Sequence, residues 1–201
     1  VIGGHWVWSP KMQQLAREND IEAYVLPGGV IMQLMREVAA NRPGLITHVG
    51  LGTFVDPQQD GGRMNEAAVD PLVERITIDG KDYLRYLPIP IDVAILKGSC
   101  ADEEGNISLD EEPANLDIYA MAAAAHNSGG KVIFQVRKKV AAGSIPARSV
   151  RIPSAIVDAV VVDPEQRQSY ELIYDPSISG ERRNETLKPG FPEFSLRLVI
   201  A

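Results

Sequence analysis

Two glycine-rich loops contain the residues best suited to act on a bound ligand. Pro27-Gly28-Gly29 leads into an amphipathic stretch, and Gly50-Leu51-Gly52-Thr53 follows the next apolar stretch. Glycine exposes backbone N–H groups, and such groups at a helix start attract anions and oxyanions. Neither loop matches GxGxxG or the P-loop, so neither specifies a nucleotide. The alternative interpretation is that glycine only makes both turns possible, and the residue types alone leave this open.

Other reactive side chains give weaker indications. Cys100 follows a predicted strand, but a thiol nucleophile needs a neighbouring base and the sequence identifies none. The acidic groups 102–104 and 110–112 do not match a calcium-binding loop, and we interpret them as solvated turn and helix-start charge. The histidines lack the spacing of metal ligands, so no metal site is predicted; they are His5, His48 and His126.

The elements that would position the two loops form an alternating pattern. Ser9-Pro10 predicts a helix start, and apolar residues recur at helical spacing from Val30 to Ala39. Strands are predicted at 21–26 and 45–49. This order predicts an α/β fold with a mostly parallel sheet flanked by helices. Adjacent strands ending in glycine loops would then build one ligand-binding edge.

The middle of the chain departs from that pattern. The polar loop 50–64 is long enough to be functional or mobile. Asp79-Gly80 between apolar runs predicts an antiparallel hairpin that departs from the parallel sheet. Further predictions are buried strands at 91–96, 132–136 and 156–162, a turn at 101–106, a helix from Ala114 to about His126, and irregular chain from about 164.

Composition excludes several classes of protein. The 201 residues are 45% hydrophobic and 23% charged, with a net charge of −7. This balance is typical of a globular domain, and no apolar run approaches the roughly 18–20 residues of a membrane span. Without a basic cluster larger than 137–139, neither nucleic acid nor membrane is expected as a partner. A single cysteine fits a reducing cytoplasm.

Longer segments resemble the family I CoA-transferases, in particular the acetate/propionate type that carries both halves in one chain. The resemblance is strongest over 22–65, where VGLGTFVDP (49–57) is specific, and in NSGG (127–130). It extends over nearly the whole chain, most loosely after about 166.

That resemblance implies an enzyme that moves CoA between short-chain carboxylates. The family's fold has two related α/β domains, CoA is a substrate, and no other cofactor is expected. The implied mechanism is ping-pong through a glutamyl–CoA thioester, a form of covalent catalysis. The implied partners are acyl-CoA, a short-chain carboxylate, a second CoA-transferase domain and further copies in a homo-oligomer. The residues expected to line the substrate and CoA cleft are Gly28, Gly29, Gly50, Gly52, Thr53 and Phe54.

The sequence departs from the family pattern in two ways. The family's nucleophilic glutamate lies in a glycine-flanked motif of the second domain, which nothing here matches, so no residue of this chain is assigned as catalytic. Related transferases often carry glutamine where this chain has Gly28, so only backbone amides of Gly28 and Gly29 remain as donors.

We therefore expect residues 1–183 to form a partial first domain that lacks its N-terminal strands. Residues 184–201 are expected to be a linker toward an absent second domain. The fragment would be inactive alone. Two alternatives stay open: an acyl-CoA thioester hydrolase on the same scaffold, and a non-catalytic binding or assembly subunit.

Overall fold

The computed structural model describes residues 1–169 and 172–183. It begins with β1 (Ile2–Gly3) and β2 (Tyr24–Val25), which pair in parallel, with α1 (Pro10–Arg17) between them. The predicted start of α1 at Ser9-Pro10 is confirmed, because the helix begins at the proline. No residue of α1 is buried.

The second helix, α2 (Gly28–Ala39), begins inside the first glycine loop. It buries Val30, Leu34, Met35 and Val38, as the helical spacing predicts. The glycine pair of the first loop therefore forms the first turn of a helix.

The next strand, β3 (Leu45–Thr47), corrects one prediction. It pairs antiparallel with β5 (Lys81–Tyr86) and does not join β2 in a parallel sheet. The Asp79-Gly80 hairpin supplies the reason, because β4 (Val73–Ile78) and β5 pair with each other and β5 offers its other edge to β3. The hairpin itself is confirmed, with φ of 50° at Asp79 and 75° at Gly80, as a type I′ turn requires.

The largest sheet has five strands in the order β10-β8-β6-β7-β9. Its parallel part consists of β6 (Val93–Asp102), β8 (Lys131–Val140) and β10 (Ala159–Val162). Its antiparallel part consists of β7 (Ile107–Ser108) and β9 (Val150–Ile152). The helix α3 (Ile118–Asn127) packs Ala122 and Ala125 against this sheet, while its Ala120 and Ala124 belong to the core around α2. An α/β fold with an antiparallel hairpin is thus confirmed.

Several predicted boundaries are wrong. The strand predicted at 91–96 continues to Asp102, so it includes part of the predicted turn. The helix predicted from Ala114 begins at Ile118, after Leu116 at a φ of 44°. A short 3-10 helix, Ser154–Ile156, replaces the start of the last predicted strand.

The prediction of buried strands holds for residues 132–136 and is wrong for parts of the other two. Ala94 and Leu96 face α3 and are buried, whereas Ile95 between them is 78% exposed and Val161 on β10 is 51% exposed. A continuous apolar run cannot show which face of a strand is covered, and helix α3 covers only one.

Residues 163–169 and 172–183 contain no helix or strand, as predicted for this part of the chain. The predicted linker at 184–201 lies outside the described residues. No helix among the described residues has the length and apolar character to cross a membrane.

Candidate functional site

The first glycine loop places two exposed residues at the start of α2. Gly28 and Gly29 are the first residues of this helix, and nothing lies within 4 Å of the position of a Cβ on either. The carbonyl of Pro27 accepts hydrogen bonds from Val30 and Ile31 at 2.9 and 3.0 Å. N–H groups in a first helical turn have no acceptor within the helix, so Gly28 and Gly29 can offer theirs to a ligand.

The second loop is organised by the buried carboxylate of Asp56. One oxygen accepts a hydrogen bond from Gly52 N at 2.8 Å, and the other accepts one from Gln58 N at 3.0 Å. The side chain of Asp56 is fully buried. These two bonds bend residues 52–58 around one carboxylate, which fixes the exposed residues at the tip of the loop.

Arg75, on β4, is the charged partner of Asp56. Its guanidinium donates to Asp56 at 3.0 Å and to Asp82 at 2.7 Å, which joins the loop to the hairpin. The Gly52 N–H, the Gln58 N–H and this guanidinium together hold the pKa of the Asp56 carboxyl below its usual value, against the opposing effect of burial. Asp56 is therefore a charged anchor at ordinary pH.

The two glycines of the second loop have different roles. A Cβ on Gly50 would lie 2.4 Å from Val55 Cγ2 and 2.6 Å from Tyr86 Oη, so Gly50 allows close packing. Gly52 has a φ of +72° and open space where its Cβ would be. Of these two glycines, Gly52 is the one that a ligand can approach.

Thr53 and Phe54 complete the tip of this loop. The Thr53 hydroxyl donates to the carbonyl of Gly50 at 2.8 Å, so it supports the turn. The Phe54 side chain is 46% exposed. Among the described residues no acceptor takes the Phe54 N–H, whereas that of Gly52 is held by Asp56. Phe54 therefore offers both an apolar ring and a backbone donor.

The two glycine loops are connected differently from the prediction. They do not follow adjacent strands of one sheet. Instead, Gly62 N donates to Phe54 O at 3.0 Å, and Gly62 O accepts from Val25 N at 2.8 Å. Gly62 thereby joins the second loop to β2, the strand that leads into Gly28.

The far end of the long loop is also tied down. The Asn65 amide nitrogen donates to Ile21 O at 2.7 Å and to Ala16 O at 2.9 Å, while its oxygen accepts from Ala23 N at 3.2 Å. The Tyr24 hydroxyl accepts a bond from Asp70 N at 2.9 Å. These contacts tie the far end of the loop to neighbouring segments, which favours an ordered loop over a mobile one.

A groove of about 910 Å³ opens beside this loop. Its lining includes Val25, Phe54, Arg63, Met64 and Val69. Of the six residues predicted to line a cleft, Phe54 belongs to this groove, while the other five lie outside its lining.

The cysteine and the acidic groups considered in the sequence analysis make contacts that support the fold. Cys100 lies within β6 and not after it, and burial raises the pKa of its thiol. The acidic groups are not simply solvated: Asp102 is buried and accepts the N–H groups of Glu104 and Asn106, and buried Glu112 pairs with Lys97 at 2.8 Å. Within the described part of the chain, no group of three or more potential ligands is placed to hold a metal ion.

Sequence reasoning missed Asp56, Arg75 and Gly62 as positioning residues. Asp56 stands in the VGLGTFVDP segment, so its place after a glycine turn was an available signal. Arg75 and Gly62 act through contacts distant in sequence, which no local pattern reveals.

Comparison with known proteins extends these observations. Residues 1–163 match the family described as Coenzyme A transferase. Over 167 residues the chain is 44% identical to the acetate CoA-transferase YdiF of Escherichia coli K12, covering 83% of this chain and 32% of that protein. It is also 44% identical to the caffeate CoA-transferase of Acetobacterium woodii over 175 residues, 86% of this chain and 33% of that one. The chain thus spans about a third of the length of these relatives.

Solved structures agree. The crystal structure of the acyl-CoA transferase YdiF from E. coli O157:H7, a thioester complex with CoA, matches 92% of this chain and 38% of that chain. The TM-score is 0.89 at 41% identity. Glutaconate CoA-transferase from Acidaminococcus fermentans shares the fold at 16% identity, with a TM-score of 0.65 over 82% of this chain and 52% of that one. Because the match to that family extends over residues 1–163, this chain belongs to the coenzyme A transferase family.

Proposed function

We propose that this chain forms part of the first domain of an enzyme that transfers CoA between a short-chain acyl-CoA and a carboxylate. The observation that carries the proposal is the exposed tip at Gly52–Phe54, held in place by the buried Asp56 carboxylate. A rigid, open backbone turn is what a developing oxyanion requires.

The chemistry divides between this chain and a second domain. A glutamate of that domain attacks the thioester carbonyl, CoA leaves as the thiolate, and an acyl–glutamyl anhydride forms. CoA then attacks the anhydride at the glutamyl carbonyl, which releases the first carboxylate and leaves a glutamyl–CoA thioester. The acceptor carboxylate completes the exchange by the reverse steps. Each attack places negative charge on a carbonyl oxygen.

The role of this chain is to stabilise that oxygen and to keep the space around it free of side chains. The available donors are the N–H groups of Phe54 and of the first turn of α2, Gly28 and Gly29. Gly52 contributes space, because its own N–H is held by Asp56. A preorganised donor of this kind is worth about 3–4 kcal/mol of barrier lowering.

The acyl group is proposed to be small, on the order of acetyl or propionyl. The name of the E. coli relative, an acetate CoA-transferase, supports this. The Acetobacterium relative carries the name of a caffeate CoA-transferase. A substrate screen must therefore include larger acids as well.

The test measures CoA transfer from propionyl-CoA in the full-length protein, with and without acetate. If the protein is a CoA-transferase, acetyl-CoA should form only when acetate is present, with little release of free CoA. Free CoA released at the same rate without acetate would instead establish a thioester hydrolase. No turnover under either condition would favour a binding or assembly subunit.

A further inference from the structure

We infer that His5 is a specificity-determining residue that recognises the carboxylate substrate, because the turn after β1 places this histidine beside the first glycine loop. This inference rests on the proposed function and deepens it by naming a side chain for the acid. The spacing of the histidines does not predict such a role, and His5 is not among the six residues expected to line the cleft.

The carboxyl ends of β1 and β2 lie at one edge. The two strands pair in parallel, and Leu26 N donates to Gly3 O at 3.1 Å just beyond the paired residues. The chain then leaves β1 through Gly4 and His5, and it leaves β2 toward Gly28. Ligands of parallel sheets bind at the carboxyl ends of adjacent strands. The adjacent strands that form such an edge are therefore β1 and β2, and not β2 and β3.

Gly4 lies directly against the first glycine loop. A Cβ on Gly4 would be 3.3 Å from Gly28 Cα and 3.5 Å from Gly28 N. Consecutive Cα atoms are about 3.8 Å apart, so the backbone of His5 is one such step from this contact. The His5 side chain is therefore within reach of a ligand that accepts the N–H groups of Gly28 and Gly29.

The turn that carries His5 is held in place. The carbonyl of Trp6 accepts hydrogen bonds from Ser9 N at 3.0 Å and from Gln13 Nε2 at 2.6 Å. The His5 ring packs edge-to-face against Trp8, with ring centroids 5.4 Å apart and an interplanar angle of 82°. These contacts restrict the orientations that the imidazole can take.

The nitrogens of the His5 ring are available to a ligand. Within residues 1–169 and 172–183, the imidazole has neither a hydrogen-bond partner nor an ion-pair partner, and the side chain is exposed. A neutral imidazole carries one N–H donor and an imidazolium carries two. With the backbone N–H groups of Gly28 and Gly29, it supplies several donors to one small anion. A carboxylate, which accepts several hydrogen bonds, fits this set.

A donor at this position favours the acid over the thioester. The carboxylate of acetate carries a full negative charge, whereas the acyl carbonyl of propionyl-CoA is neutral before attack. Hydrogen bonds to ionised groups are about twice as strong as those between neutral groups. His5 should therefore contribute more to the binding of acetate than to the binding of propionyl-CoA.

The test compares the KM values of the two substrates of CoA transfer in the full-length protein. His5→Phe keeps a ring beside Trp8 and removes both nitrogens. We expect the KM for acetate to rise about tenfold, from the loss of one charge-assisted hydrogen bond, while kcat and the KM for propionyl-CoA stay within about twofold of wild type. His5→Arg restores a donor for carboxylates and should recover most of the affinity for acetate.

His126→Phe is the matched control. His126 is also exposed, but it lies near the end of α3 and belongs to neither glycine loop. This variant should keep the wild-type KM for acetate. Melting temperatures of both phenylalanine variants should match the wild type, because both histidines are exposed.

Two results would overturn the role of His5. One is an unchanged KM for acetate in His5→Phe, and the other is an equal rise for both substrates, which would indicate distortion of the whole site. Acetate binding is also measured without turnover, by saturation-transfer NMR. Absence of CoA transfer in the wild type would overturn the proposed function, whereas weaker acetate binding by His5→Phe would still support carboxylate recognition by His5.

Discussion

At the scale of single residues, Asp56 determines the shape of the candidate site. One buried carboxylate accepts two backbone N–H groups of its own loop and one guanidinium from β4, so the loop and the hairpin converge on it. Buried charge is costly unless it is fully paired, and here the pairing is what bends the loop. The loop tip at Gly52–Phe54 owes its position to a side chain that is itself fully buried.

Replacing Asp56 is expected to disturb both stability and activity. Asp56→Ala removes the charge-assisted hydrogen bonds and should lower the free energy of unfolding by about 2–3 kcal/mol. Asp82→Ala is the matched control, because Asp82 contacts the same Arg75 but is 44% exposed and lies outside the loop. A surface pair is worth about 1 kcal/mol or less. Urea unfolding of both variants checks this, and equal losses would show that Asp56 has no special role.

Lowering the pH should reveal the contribution of Asp56 to the free energy of unfolding. The pKa of Asp56 is lowered in the folded protein, so its stabilising contribution is complete above the unfolded value of about 3.9 and is lost as pH falls toward the folded pKa. Asp102 and Asp158 also have lowered pKa values and titrate in the same direction. Asp56→Asn should therefore remove part of the stability loss below about pH 4. Urea midpoints between pH 7 and pH 3 measure it, and an unchanged acid profile would contradict the assignment.

At the scale of elements, the loop 50–70 leads from β3 to β4 and is also tied to the segment around β2. Asn65 attaches one end to residues near β2, while Arg75 attaches the other to β4. Between them, Gly62 pairs with both Val25 and Phe54. A segment fixed at three points can hold a backbone donor without a helix or strand of its own.

Gly50 should be needed for this packing and not for ligand contact. Gly50→Ala would place a Cβ 2.4 Å from Val55 Cγ2, at a φ of +101°. We expect a loss of about 2–4 kcal/mol from overpacking together with backbone strain. The measurement is the melting temperature beside CoA-transfer activity below it. A stable Gly50→Ala protein would show that the loop relaxes and that the close packing is dispensable.

The elements also show what sequence patterns can and cannot establish. α2 and the Asp79-Gly80 hairpin follow from local spacing and turn chemistry, so both are correctly predicted. The partner of β3 depends on which sheet edge is free. The ion pair at Asp56 depends on Arg75, which lies 19 positions away in the sequence. Local periodicity carries no information about either. The cleft predicted from the glycine loops remains a prediction for all six of its residues.

At the scale of the whole molecule, one face of the main sheet is covered only in part among the described residues, where Gln168 and Gln166 contact Lys97 and Gln135. Ile95 and Val161 lie on that face at 78% and 51% exposure. Uncovered apolar sheet faces promote association. The division into a first domain at 1–183 and a linker at 184–201 stays a prediction.

The open face should make the isolated 201-residue chain self-associate. Ile95→Lys is expected to reduce this association without lowering the melting temperature, because the side chain meets solvent. Ile152→Lys is the contrasting control, since Ile152 is fully buried and a lysine there should prevent folding. Light scattering coupled to size exclusion measures the association. A monodisperse wild-type chain would show that this face causes none.

We expect the tip of the second loop to lie at the reacting carbonyl, and a matched pair of glycine variants can show whether it does. Gly52 and Gly80 have φ values of +72° and +75°, and both have open space where a Cβ would be. An alanine at either position should therefore introduce a similar backbone strain, which destabilises the folded protein by about 1–2 kcal/mol. CoA transfer from propionyl-CoA to acetate is measured in the full-length protein at a temperature where both variants are folded. We predict that Gly52→Ala lowers kcat/KM at least a hundredfold while Gly80→Ala retains wild-type turnover. Equal turnover in the two variants would remove the loop from the reaction site.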